Sequence, residues 1–128
     1  MEFVRWESAT PDSRGRHVGI FGLANGLGRR GLLAPADHDW WRSANDWFNS
    51  AYVDPNSVAS GIFAAHPSAT CWFKTTATHL IERIPPYLAL LDRYSVAWRE
   101  RLSDAPGRVI YEDEVQVVVV EAEADSDR

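Results

Sequence analysis

The sequence predicts an α+β fold, with a helical first half packed on an antiparallel sheet of about four strands. Two observations carry that prediction. Residues 69–121 read strand, helix, strand, strand, strand, with connections too short for parallel crossovers. Residues 35–52 carry one apolar stripe at helical spacing, made of Trp40, Ala44, Trp47, Phe48 and Ala51. With 128 residues, 45% of them apolar, the chain can bury a core without disulfides or metal staples. One domain spanning residues 1–128 is the simplest organisation, since neither an internal repeat nor a linker interrupts the pattern.

In chain order, residues 3–7 alternate weakly and predict a short edge strand, followed by a turn-rich loop at residues 8–15. Residues 17–30 place Ile20, Ala24 and Leu27 on one helical face. Gly31, after two arginines, has the position of a left-handed helix cap. Pro35 opens the tryptophan-bearing helix, with Asp37 and Asp39 at its positive end, and Asp54-Pro55 closes it. A short helix over residues 57–64 and a turn at residues 66–68 come next.

Residues 69–74 predict a buried strand. Residues 76–94 predict a helix with Pro85-Pro86 in its middle, where two missing N–H donors lead us to expect a kink or a restart at Pro86. Strands follow near residues 96–102, 108–112 and 115–121. The unbroken valines of residues 117–120 indicate an interior strand covered on both sides. The acidic residues 122–128 read as a frayed tail.

Residues 26–31, Gly-Leu-Gly-Arg-Arg-Gly, match the letters of a dinucleotide-binding fingerprint. The context opposes that function. No helix opens inside the glycines, no acidic residue ends a second parallel strand about 20 positions on, and no Gly-Lys-Ser or Gly-Lys-Thr is present. We therefore read the hexad as structural and expect no cofactor.

Other chemistries are weakly supported. His17, His38, His66 and His79 show no metal-ligand spacing, and with Cys71 the single cysteine, no zinc site is expected. Cys71 lies between apolar neighbours, the setting of a buried inert thiol. Lys74 is the single lysine, so any Schiff-base chemistry would fall to it. Glu112 and Glu114 share one side of a strand turn, where two carboxylates could act as a general base or simply face water.

The net charge is −5, and residues 112–128 contribute −6 of it. A near-neutral body speaks against nucleic acid as a partner, although Arg14, Arg16, Arg29 and Arg30 form a local basic cluster. No run approaches the roughly 20 apolar residues needed to cross a bilayer, and the N-terminus has no secretory pattern, so a cytoplasmic protein is expected. The six tryptophans are the informative surplus. Trp41 falls off the apolar stripe, and a tryptophan that its own fold leaves uncovered marks a pocket or a partner surface.

Residues 69–120, with Ala-Thr-Cys-Trp-Phe-Lys, Tyr-Leu-Ala-Leu-Leu-Asp-Arg-Tyr and Pro-Gly-Arg-Val-Ile-Tyr-Glu-Asp-Glu-Val-Gln, resemble small uncharacterised proteins from actinobacteria. That resemblance implies no activity. The element order is also similar to the βαβββ module of vicinal-oxygen-chelate proteins, whose His and Glu metal ligands are not matched here.

Two functions are expected. In the first, a non-catalytic regulatory protein acts through contact with a protein partner or with itself. In the second, a small molecule binds in an aromatic pocket between helix 35–52 and the sheet. The residues assigned to binding are Trp41, Trp47, Trp72, Trp98, Glu112 and Glu114, with His66 and His79 as further polar candidates.

Overall fold

The computed structural model describes residues 1–121. The acidic tail expected at residues 122–128 lies outside the described residues. The elements are β1 (Phe3–Ser8), α1 (Ile20–Arg29), α2 (Pro35–Ala51), α3 (Pro55–Val58), α4 (Ile62–Ala65), β2 (Thr70–Lys74), α5 (Thr78–Ile81), α6 (Pro85–Arg93), β3 (Trp98–Ser103), β4 (Arg108–Glu112) and β5 (Gln116–Val120). The α+β class holds, with five strands in the order β3-β1-β2-β5-β4, every pair antiparallel.

The first strand is not an edge. β1 pairs along its whole length with β3 and, at Phe3 and Val4, with β2. Arg5 and Glu7 gave the segment its edge-like polarity, but Glu7 is fully buried and neutralised by arginines, so its charge does not mark a solvent face. β5 is interior as expected, with Val117, Val118 and Val119 completely enclosed.

β3 and β4 occupy opposite edges, yet only residues 104–107 join them. A flat sheet would separate those edges by four spacings, about 19 Å. The connection also runs from the Lys74 end of the sheet to the Thr70 end. Five Cα steps span at most about 18 Å. The sheet must therefore curl, and its inner face encloses Phe3, Trp72, Val117 and Val119.

The outer face presents Val4, Trp6 and Phe73 to α1, α2 and α6, where the main core forms around Ala24, Leu27, Phe48, Tyr87, Leu90 and Leu91. Burial of these side chains stabilises the fold by roughly 1.5–3 kcal/mol for each large one. A half-buried polar chain ties the three helices together. The Tyr87 hydroxyl donates to Asn45 Oδ1 at 2.6 Å, while Asn45 Nδ2 and Trp41 Nε1 donate to Asn25 Oδ1 at 2.8 and 2.9 Å.

Trp41 is buried, contrary to the expectation that it would stand free. Its neighbours Trp40 and Trp47, placed on the core stripe from spacing, are only half-buried. The reason lies on α1, where Gly28 offers a gap in the helix surface that admits the Trp41 ring. The same helix ends as expected. Gly31 adopts φ +69°, its N–H donates to Gly28 O, and the Leu32 N–H reaches Leu27 O, a two-bond cap.

α2 begins at Pro35 and lacks a side-chain cap. Its first turn is held instead by Asp37, which accepts from Arg93 at 2.8 Å and from the Tyr94 hydroxyl at 2.7 Å, while the Ala34 N–H donates to that hydroxyl. The helix expected over residues 57–64 divides into α3 and α4 at Gly61, φ +78°. Asp54 caps α3, its side chain accepting from the Asn56 N–H at 2.9 Å. The helix expected over residues 76–94 also divides, and α6 restarts at Pro85, where a missing N–H costs nothing.

Candidate functional site

β1 and β2 part company after two residue pairs. Below Val4 and Phe73, the side of β1 that faced β2 is taken over by residues 17–19, through a bridge between Glu7 and Gly19 and a bond from the Ser8 N–H to Val18 O. Arg5 fills the resulting wedge. Its guanidinium donates to Cys71 O at 3.0 Å and to His17 O at 3.1 Å, groups the broken ladder leaves without strand partners. A cavity lies on each side of this wedge, and Arg5 and Gly19 border both.

The first cavity, about 330 Å³, opens between α1, α2 and the outer face of the sheet. Phe21, Phe48, Tyr52, Phe63 and Phe73 supply aromatic walls, and Ile20 and Val4 supply aliphatic ones. Their rings interlock edge to face: Phe21 meets Phe48 at 4.9 Å between centroids, and Tyr52 meets Phe73 at 5.6 Å. Asp54 and Pro55, at the start of α3, sit at the margin.

Cys71 faces this space beside Phe73 on the same side of β2. Burial pushes its thiol up to about 11, with Arg5 opposing and Asp54 adding to the rise. Tyr52 is also pushed up, first by burial and then by Cys71 and Asp54. Both groups are therefore neutral near pH 7. At that pH the cavity presents hydrogen-bonding edges but no thiolate nucleophile. Gln116 closes one end, its amide nitrogen donating to Val53 O and Asp113 Oδ2.

The residues assigned from sequence are scattered. Trp72 borders the cavity, although its indole lies on the inner face of the sheet, bonded to Thr70 and capped by Arg101 at 5.0 Å. Trp41 is committed to the helix interface, and Trp98 donates to Asp92 near the end of α6. Trp47 lines a separate groove with Trp40, where Arg83 stacks on its ring at 3.9 Å. Glu112 pairs with Lys74 at 2.6 Å, and Glu114 is exposed at the β4–β5 turn. His66 and His79 do not reach the cavity. Among the described residues, no three His, Cys, Asp or Glu side chains are grouped as metal ligands, and no helix is long and apolar enough to cross a membrane.

Sequence spacing missed Tyr52, Phe21 and Cys71 as a group, since they come from three separate elements. The aromatic content of residues 47–52 was the one available signal. No family model, curated protein or solved structure matches this chain.

Proposed function

We propose that the protein binds a small, largely apolar molecule in the cavity between α2 and the sheet. The carrying observation is the 330 Å³ space walled by interlocked aromatic rings, within the roughly 300–1,000 Å³ range of ligand pockets. The neutral Tyr52 and Cys71 favour an uncharged ligand with a planar ring and one polar edge, since Arg5 is already paired with Glu7 and Asp54 stands only at the margin. A cytoplasmic setting belongs to the same proposal, in keeping with a single free cysteine.

The test is a titration with 2-naphthol, a neutral bicyclic probe, followed by NMR of the Val4 and Ile20 methyl groups. Saturable shifts are expected, together with their loss in Asn49→Trp, which blocks the space from an exposed position. Pressurised xenon should shift the same methyls, as it does in other dry apolar cavities. Methyls that respond to neither probe would mean a closed, filled core and end the proposal.

Protein contact is supported at a groove that holds Trp47, one of the residues assigned to binding from the sequence. Half-buried Trp40 and Trp47 border a groove with Arg83 and Pro86, and tryptophan and arginine are enriched where protein partners bind. Light scattering across a concentration series tests self-association, which Trp47→Ala should abolish. A concentration-independent monomer mass would exclude a second copy as the partner.

A further inference from the structure

The second cavity, about 550 Å³, lies across the Arg5 wedge and has the opposite chemistry. Its floor is Glu7, whose carboxyl accepts from Arg5 Nε at 2.7 Å and from Arg99 Nε at 2.8 Å, with Arg101 at 3.5 Å. Burial works against that charge, but the hydrogen bonds from Arg5 and Arg99 and the charges of Arg5 and Arg101 outweigh it. Glu7 therefore stays ionised and holds three guanidiniums at fixed angles.

The carboxylates facing the cleft are already engaged. Glu7 is occupied on both oxygens, and Glu121 is bound to Arg101 at 3.0 Å. Asp12 is turned toward the backbone N–H groups of Arg14 and Arg16. Four arginines, Arg5, Arg16, Arg99 and Arg101, thus face three carboxylates, a local positive balance within a chain of net charge −5. Arg16 has no carboxylate within salt-bridge reach among the described residues and is anchored by Pro67 O at 2.9 Å. Arg99 is 42% exposed on its side chain, so part of its fork faces solvent.

We propose that this cleft binds a small oxyanion, a phosphate or carboxylate group, on the outward N–H groups of Arg16, Arg99 and Arg101. Planar guanidinium forks match oxyanion geometry, and the buried Glu7 carboxylate beneath Arg99 and Arg101, with Pro67 O beside Arg16, lowers the cost of orienting them on binding. The glycine hexad plays no part, since residues 26–31 do not border the cleft. The basic residue from the sequence cluster that does contribute is Arg16.

The test uses the full chain, with inorganic phosphate and acetate as probes against chloride at matched ionic strength. The arginine Nε–H signals of Arg16 and Arg99 are followed by NMR. Saturable shifts with phosphate or acetate, absent with chloride, are expected, the stronger probe identifying the group. Arg16→Gln should weaken binding about tenfold, the loss of one charge-assisted hydrogen bond. It sits on an exposed loop and leaves the Glu7 contacts intact, while Arg93→Gln, outside the cleft, should leave binding unchanged. Equal responses to all three salts, or equal binding by Arg16→Gln, would overturn the proposal. The outcome is separable from the apolar cavity, because 2-naphthol binding should persist in Arg16→Gln.

Discussion

The ring of Trp41 occupies the place where a side chain on Gly28 would stand: a Cβ built on Gly28 comes within 2.5 Å of two ring carbons. Glycine at that position costs α1 about 1 kcal/mol of helix propensity relative to alanine. The closer approach of α1 and α2 more than offsets it by enclosing a whole indole.

Gly28→Ala should therefore destabilise the protein by about 1–3 kcal/mol through overpacking, in spite of its better propensity. Gly26→Ala, whose Cβ would meet only the mobile end of Arg30 at 3.8 Å, should instead be neutral or stabilising by up to about 1 kcal/mol. Urea midpoints of the two variants give the comparison. If Gly28→Ala proved harmless, the packing explanation for the glycine would be wrong.

Cys71 should resist alkylation. Its folded value near 11 lies above the ordinary thiol value of about 8.5. Iodoacetamide at pH 8.5 should label the folded protein far more slowly than the urea-unfolded chain. A raised acid favours the native state while both states are neutral, so stability should fall as pH rises from about 8.5 toward 11, where the unfolded chain ionises first. Cys71→Ala should flatten that slope below about pH 10 in a series of unfolding curves, above which the raised Tyr52 and Tyr87 contribute with the same sign.

Glu7 has the opposite linkage. Its folded value is lowered, so its contribution is complete above about pH 4.3, the ordinary glutamate value, and is lost as pH falls through the folded value. Glu7→Gln should cost about 2–3 kcal/mol at neutral pH, since three guanidiniums lose their common anion and an amide NH2 replaces one of its two acceptor oxygens. The variant should also show a flatter acid limb in circular dichroism melts between pH 5 and pH 2. Equal slopes for both proteins would place the acid sensitivity elsewhere.

Tyr87→Phe should cost about 1 kcal/mol beyond any packing change, because Asn45 Oδ1 loses its donor while Asn45 Nδ2 stays bound to Asn25. Combined with Asn45→Ala, the loss should be less than additive, a coupling that chemical denaturation of the four proteins of the cycle measures.

Local order was legible without coordinates wherever one residue's own geometry decides it. Gly31 caps α1, Pro35 opens α2, Pro85 restarts the helix, and the valines of β5 lie inside the sheet. Each follows from backbone freedom, a missing N–H or an unbroken apolar run, all of which act within a turn or two of the chain. Three dimensions decided the rest. Helical spacing ranks Trp40 and Trp41 by angle, but a gap on another helix, at Gly28, chose which one is buried. Strand alternation made β1 an edge, whereas arginines from β3 let its Glu7 lie inside. Both cavities exist because β1 and β2 separate after two pairs, and the shape left between two strands depends on contacts some 70 residues apart, which no local pattern encodes.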